Sequence, residues 1–378
     1  MRVLHLGKYF PPAAGGIERF LSQLVSWQSR SGLESTVLVH HKPHTPDTQD
    51  TLPIRRVRAF GELLFVPISP QWPVAFARTL REVRPDLLHI HMPNPWAFCA
   101  LFSAAARSLP WVVHWHADVP HDHPSWRMRL AYRPYAQFEQ QLLRRAATIV
   151  VSSQTYLDAS ATLSAHRDRC AVIPLGLEAE RPESAPPDWP NHDQLKLLAV
   201  GRLSYYKGFE TLLDAVARTA DVQLLLIGEG ERRTALAARI AALGLHERVR
   251  MTGHLDDPQI EAAYRACDVF CLPSLDRAEA FGLVLLEAMR AGKPVVASAV
   301  PGSGMTEVVQ DQQTGLLVSP GDPDSLAEAL ALLRERPDLR AQLGQAGRGR
   351  FEANYRFDPV GQSISDVYGQ LLASSGRV

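Results

Sequence analysis

Glu279 and Glu287, with seven residues between them in Glu279-Ala-Phe-Gly-Leu-Val-Leu-Leu-Glu287, are the carboxylates whose setting is most informative. The apolar run CDVFCLP before them has strand character, and GLVLLEAMRAG has the period of a helix. A helix that starts at the carboxyl edge of a parallel sheet presents unpaired N–H groups and positive potential, which suits phosphate. Phe281, Gly282 and Leu283 would offer those amides, and Gly282 lets the backbone come close. Glu287, on the second turn, is placed to take two neighbouring hydroxyls, as on a ribose. Glu279 stands nearer the reacting end. The plainer alternative is a capping glutamate and a solvated helical one. The strand-loop-helix setting favours the functional reading.

A second group is Gly201-Arg202-Leu203-Ser204-Tyr205-Tyr206-Lys207-Gly208, directly after the run LKLLAV. Arg202 as a fork and Lys207 as a point charge suit a diphosphate, and can stabilise its departure where other enzymes use a divalent metal. An arginine and a lysine at a surface turn are the ordinary alternative. Gly15-Gly16 opens the first helix and suits close backbone approach, because the dinucleotide pattern G-x-G-x-x-G is absent. In IGEGE (227–231), Gly228 and Gly230 suit a strand-to-helix turn. Six histidines (His89, His91, His114, His116, His121, His123) crowd positions 89–123. H-x-H puts two rings on one strand face, which would suit a metallohydrolase. Matching ligands in the second half are lacking, so no metal is expected. His116, at a strand's carboxyl end, could instead meet a substrate hydroxyl or be an ordinary satisfied polar group.

The elements that must position these residues follow from hydrophobic period. RVLHLG, STVLVH, DLLHIHMP, PWVVHWH and ATIVVSS are apolar runs, with helical stretches at 95–107 and 127–145 and a first helix marked by Ile17, Phe20, Leu21, Leu24 and Val25. RPESAPPDWPNHDQ (181–194) holds four prolines and no period, a linker composition. The alternation then restarts with LKLLAVG, VQLLLIG, RVRMTG, CDVFCLP, PVVAS and TGLLV, and 324–378 is helical by pattern. The fold class is α/β, with two doubly wound Rossmann-like domains facing a cleft. The expected boundaries are 1–180 for an N-terminal domain, 181–194 for the linker and 195–360 for a C-terminal domain. The remaining 361–378 is expected to form a helix that packs back on the N-terminal domain.

Composition excludes other classes. Of 378 residues, 46% are apolar and 21% charged, which argues against disorder. Forty Lys+Arg balance forty Asp+Glu, so no global basic field favours nucleic acid. Four cysteines are too few for a disulfide scaffold, and Cys267 and Cys271 have no further soft ligands near them for a metal. No apolar run approaches the length of a spanning helix, and the N-terminus suits a first strand better than a signal peptide. The expectation is a soluble or peripheral protein in a reducing compartment.

Taken together, Gly15-Gly16, His116, GRLSYYKG, the E-x7-E pair, PLGLE (174–178) and TGLLVSPGDPDSLAEAL (314–330) resemble glycosyltransferase family 4 over nearly the whole chain. The resemblance implies the GT-B fold and transfer of a hexose from a nucleotide-diphosphate sugar with retention of configuration. It places Gly15 and Gly16 near donor phosphates and acceptor, His116 on the transferred sugar through its 6-position, and Arg202 and Lys207 on the diphosphate. Glu279 would contact sugar hydroxyls, and Phe281, Gly282 and Leu283 would give amides. Glu287 would hold the ribose, with Gly253, His254 and Leu255 near the base. It implies a front-face displacement with no metal or other cofactor.

PGSGMTEVVQDQQTG and HLGKYFPPAAGGIERF resemble members of lipopolysaccharide and exopolysaccharide assembly. That resemblance favours mannosyl- or rhamnosyl-type transfer from a GDP-sugar over a UDP-sugar, with a saccharide or lipid-linked acceptor. It implies a cytoplasmic protein, peripheral on the inner face of the inner membrane. Arg127, Arg129 and Arg133 among Trp126, Leu130 and Tyr132 would suit such a surface, and equally a solvated helix. The competing classes are a nucleotide-sugar epimerase on the same fold and a non-catalytic sugar-nucleotide-binding protein. The first would turn over donor without acceptor. The second would lack one of His116, Arg202, Lys207, Glu279 and Glu287, all of which are present.

Overall fold

The computed structural model describes residues 1–13, 15–42, 52–64, 66–119, 126–179, 184–185, 187–190 and 194–374, without the side chains of 126–129 and 131. His121, His123, Ser125 and the side chains of Trp126, Arg127 and Arg129 therefore lie outside the described residues, as does part of 181–194.

The chain forms two compact units, one of residues 1–175 and 357–378 and the other of 176–356. In unit 1, β1 (Arg2–Leu6) leads through Gly15 into α1 (Gly16–Arg30) and β2 (Glu34–His41). Then come β3 (Ile54–Arg58), a two-residue hairpin β4 (Glu62–Leu63) and β5 (Val66–Pro67), and α2 (Trp72–Val83). β6 (Leu87–Met92), a 3-10 turn over Pro95–Phe102, α3 (Ala104–Arg107) and β7 (Trp111–Trp115) follow. α4 (Trp126–Arg145), β8 (Thr148–Val151), α5 (Gln154–Ala159) and β9 (Cys170–Val172) complete this stretch. Seven strands run parallel in the order β3-β2-β1-β6-β7-β8-β9.

Unit 2 repeats the architecture. Its strands are β10 (Leu195–Val200), β11 (Val222–Ile227), β12 (Val249–Gly253), β13 (Val269–Leu272), β14 (Val295–Ser298) and β15 (Gly315–Val318). They alternate with α6 (Phe209–Arg218), α7 (Arg233–Ala242), α8 (Asp257–Ala266), α9 (Leu283–Arg290) and α10 (Met305–Val308), then α11 (Pro323–Glu335) and α12 (Pro337–Asn354). The order is β12-β11-β10-β13-β14-β15, all parallel. α13 (Phe357–Ser374) belongs to unit 1.

The runs LKLLAV and VQLLLI are buried almost throughout, because helices cover both faces of a parallel sheet. Leu197, Leu213, Leu224, Leu226 and Leu330 meet in that core. The described part of 181–194 lies in unit 2, where Trp189 is buried and Arg250 donates to the Asp188 carbonyl. An indole that covers apolar surface holds its neighbours against the unit. The helical stretch expected over 95–107 is a 3-10 turn followed by four residues of α-helix. Pro95 starts it, and Ser103 caps the second piece by accepting from the Ala106 amide.

In each sheet the strand order reverses once, between β1 and β6 and between β10 and β13. In an open α/β sheet the loops after two such strands diverge to opposite faces and leave a crevice at their carboxyl ends. This places Gly15-Gly16 after β1, and sets the loops 201–208 and 273–282 side by side.

Candidate active site

In unit 2 the candidate residues stand on and beside those two loops. Lys207 follows β10 on a short 3-10 turn, and Glu279 follows β13. The Lys207 Nζ donates to Glu279 Oε2 with both side chains nearly buried, 9% and 12% exposed. Ser274 Oγ donates to the same oxygen at 3.3 Å. Burial opposes the charge on Lys207, but the Glu279 carboxylate, the nearby Tyr206 and the hydrogen bond outweigh it. The ammonium is held above its ordinary pKa and stays a cation. Gly201 makes room for this chain, since a Cβ there would meet Lys207 Cε at 3.3 Å. Gly208, at φ +67°, brings the backbone against the Pro273 carbonyl, where a Cβ would clash.

Arg202 behaves differently. Its guanidinium is 60% exposed and pairs with Glu231 at 3.3 Å. A surface pair of this kind contributes about 1 kcal/mol or less. Lys207 and Glu279, assigned separately to diphosphate and sugar by sequence, are joined directly. Arg202 lies outside that pair.

The start of α9 lies next to this pair along the chain. Gly282 is its N-cap at φ +80°, and no side chain caps the helix. The first amides of a helix have no acceptor within it, so Leu283 and its neighbours point N–H groups outward. Phe281 and Leu283 are buried, and Phe281 meets the Tyr355 ring edge-on. Glu287 is also buried, and Tyr264 on α8 donates to its Oε2 at 2.8 Å. Gly253 is buried at the end of β12, Leu255 is half-buried and His254 is exposed. A Cβ at Gly253 would meet Glu229 Oε1 at 2.7 Å, and that carboxylate also accepts from Arg233.

In unit 1 the candidate residues centre on a ladder of imidazoles. His5 on β1 stands opposite His89 on β6, and His91 opposite His114 on β7. Because alternate residues share a face, His5, His89, His91, His114 and His116 collect on one side of the sheet, under α1 and α13. All five are buried. His5 Nδ1 and His91 Nε2 lie 3.2 Å apart, and His91 Nδ1 and His116 Nε2 3.1 Å. Burial lowers every one of these pKa values, to about 4 for His5 and about 3 for His116, with the other three well below the ordinary value. The ladder is therefore neutral.

His5, His89 and His91, and again His91, His114 and His116, bring three ring nitrogens within 4.8 Å. The His91, His114 and His116 rings are near parallel, at 14° for His91–His116 and 5° for His114–His116, whereas His5 is tilted 43° from His89. In each set two of the nitrogens already face one another at hydrogen-bond distance, so they have partners without a metal. At the α1 terminus Gly15 and Gly16 are exposed, and Glu18 folds back so that a Cβ on Gly15 would strike its carboxylate.

Sequence reasoning missed Tyr264, Glu229, His5 and Gln28. Tyr264 sits in a plain amphipathic helix. His5 is visible only once strand register is known.

A model described as "Glycosyl transferases group 1" matches residues 181–350, and one described as "Glycosyl transferase 4-like domain" matches 15–176. The chain is 29% identical over 392 residues to O-antigen chain mannosyltransferase C of Escherichia coli, covering 99% of this chain and all of that one. It is 30% identical over 364 residues to the D-rhamnosyltransferase WbpZ of Pseudomonas aeruginosa, covering 93% and 91%. Among solved structures, sucrose-phosphate synthase from Thermosynechococcus elongatus superposes with a TM-score of 0.82 at 26% identity over 99% of both chains. Anabaena HepE in complex with UDP and glucose superposes with a TM-score of 0.79 at 23% identity, over 98% of this chain and all of that one.

Proposed function

We propose that this chain, which belongs to glycosyltransferase family 4 and has the GT-B fold, moves a mannosyl- or rhamnosyl-type hexose from a GDP-sugar to a saccharide or lipid-linked acceptor. The observation that carries this reading is likeness over nearly the full chain to two enzymes named as mannosyl- and D-rhamnosyltransferase. The O-antigen named in the first of these supports a role in lipopolysaccharide assembly.

In this reading Lys207, Arg202 and the amides of Phe281, Gly282 and Leu283 hold the diphosphate. Glu287, braced by Tyr264, takes the ribose, and Gly253, His254 and Leu255 the base. His116 and Glu279 take sugar hydroxyls, and Gly15-Gly16 borders the donor. Glu279 is bound to a cation and a serine hydroxyl, which suits binding and positioning better than attack on carbon. No second carboxylate accompanies it in the reading, so double displacement lacks its nucleophile. Front-face displacement fits instead. The acceptor oxygen bonds to the anomeric carbon as the bond from that carbon to the phosphate oxygen breaks, and a diphosphate oxygen takes the acceptor's proton. Configuration is retained. Lys207 and Arg202 stabilise the departing charge in place of a metal.

Among the described residues no helix is long and apolar enough to cross a membrane. A lipid-linked acceptor would be met from the cytoplasmic face by peripheral contact.

A panel of GDP- and UDP-sugars with simple and lipid-linked acceptors, read by product mass with and without chelator, tests the reading. The expected result is hexose transfer from GDP-mannose or GDP-rhamnose, undiminished by chelator. Transfer confined to UDP-sugars would overturn the donor assignment, and loss in chelator the metal-free mechanism. Donor turnover without acceptor would point to the epimerase.

A further inference from the structure

The imidazole ladder ends in a group that sets its direction. Gln28, buried on α1, has its carboxamide oxygen 2.8 Å from His5 Nε2. Ser35 Oγ donates to that same oxygen at 2.6 Å. The Gln28 amide nitrogen donates to Tyr368 Oη at 3.1 Å, and Tyr368 Oη lies 2.5 Å from His89 Nδ1. The amide thus has its oxygen toward His5 and its NH2 toward α13.

A neutral imidazole carries one N–H and one lone pair, so each contact fixes the next. The Gln28 oxygen can only accept, so His5 carries its proton on Nε2 and leaves Nδ1 bare. His91 must then donate from Nε2 to His5 Nδ1, and its own Nδ1 is bare. His116 must donate from Nε2 to His91 Nδ1. What remains at His116 is Nδ1, outside the chain, with a lone pair. The depressed pKa values keep the rings neutral, which this ordering requires. His89 and His114 stack on these rings without joining the chain, and both His114 nitrogens are buried without a hydrogen bond.

We propose that Gln28, acting through His5 and His91, fixes the tautomer of His116, so that its Nδ1 is held as a bare acceptor for a hydroxyl of the transferred sugar. Gln28, His5 and His91 are then positioning residues some distance from the chemistry. An imidazole free to exchange tautomers would present the wrong face for part of the time, whereas the ladder presents one face always. The sugar contact rests on the proposed function. The ordering of protons does not.

The test separates the two. Long-range 1H–15N spectra of the whole protein with labelled histidine, assigned with His116→Gln, read the tautomers with no substrate present. The expected spectrum has Nε2 protonated and Nδ1 bare at His5, His91 and His116 alike. Gln28→Met fills the same space without an acceptor, and should let His116 exchange between tautomers. Gln28→Glu, which keeps an acceptor against His5, should retain the wild-type pattern. In transfer assays Gln28→Met should lower kcat/KM about tenfold, the effect of one misdirected buried hydrogen bond, and Gln28→Glu should recover most of it. A wild-type His116 protonated on Nδ1, or already exchanging, overturns the proposal. So does a folded Gln28→Met protein with unchanged spectra. If the spectra stand but His116→Gln transfers sugar normally, the assignment of His116 to the sugar fails and the ordering survives.

Discussion

Acid should unfold unit 1 well before unit 2, and the ladder sets the amount. His5, His89, His91, His114 and His116 are neutral in the fold, and His40 is held down to about 3 by burial and then by Lys8. In the unfolded chain each takes a proton near pH 6.5, so below that value the unfolded state binds more protons and stability falls with pH. The loss starts near 6.5 and grows down to the folded values of about 4 for His5 and about 3 for His116 and His40. Keeping one imidazole neutral at pH 5 costs about 2 kcal/mol, from 1.5 units at about 1.4 kcal/mol each, so six cost on the order of 12. Glu139 runs the other way. Burial raises its carboxyl to about 8, so the folded state holds the extra proton over this range, and acidification from pH 7.5 to 5 returns about 3 kcal/mol. A net loss on the order of 10 kcal/mol rivals the whole stability of a domain, about 5 to 15. Six of the seven tryptophans, all but Trp189, lie in unit 1, so intrinsic fluorescence reports its unfolding. Denaturant midpoints at pH 7.5 and pH 5 measure the loss. His114→Leu, which removes a ring with no hydrogen bond, should shrink that loss by about 2 kcal/mol. Equal midpoints at the two pH values would refute the neutral ladder, and an unchanged loss in the variant would refute the share given to His114.

In unit 2, Lys207→Met should cost about 3 to 5 kcal/mol by stranding the Glu279 carboxylate, read as a lowered melting midpoint. Adding Glu279→Gln should restore most of that stability without restoring nucleoside-diphosphate binding. Tyr264→Phe removes the donor to Glu287 and should weaken nucleotide binding about fivefold to tenfold by calorimetry. Unchanged affinity would detach Glu287 from the ribose. Gly282→Ala forces a side chain into φ +80° and against Leu285 Cδ1 at 2.7 Å, and should cost about 1 to 2 kcal/mol and impair diphosphate binding. A variant with wild-type binding would mean that the α9 terminus does not meet the anion.

Fold class was legible because parallel strands buried on both faces are continuous apolar runs, and LKLLAV, VQLLLI and DLLHIHM announce themselves. β3 escaped because IRRVR is an edge strand whose arginines leave no apolar run, and β9 because three residues make no period. The passage between units was harder still. Proline content marks 181–194, whereas the chain leaves unit 1 after Leu175, among residues that look like ordinary strand flank. Composition reports stiffness, and it says nothing of which surface a buried Trp189 will cover.

Candidate site residues can be picked by type, but which of them pair depends on topology. Arg202 and Lys207, five residues apart, read as equals on one anion. Reversal of strand order between β10 and β13 brings the second loop against the first, so Lys207 acquires Glu279 and Arg202 does not. The consequence is chemical. On the proposed assignment Lys207, buried and held as a cation by a fixed carboxylate, would be preorganised and would lose little on meeting a diphosphate. Arg202, exposed and paired with Glu231 at the surface, would be ordered by the ligand on that assignment, and its contribution should fade with salt as that of Lys207 does not. On the proposed assignment the two cations of one turn would act at different moments: Lys207 would define the anion site beforehand, and Arg202 would close on a charge already there.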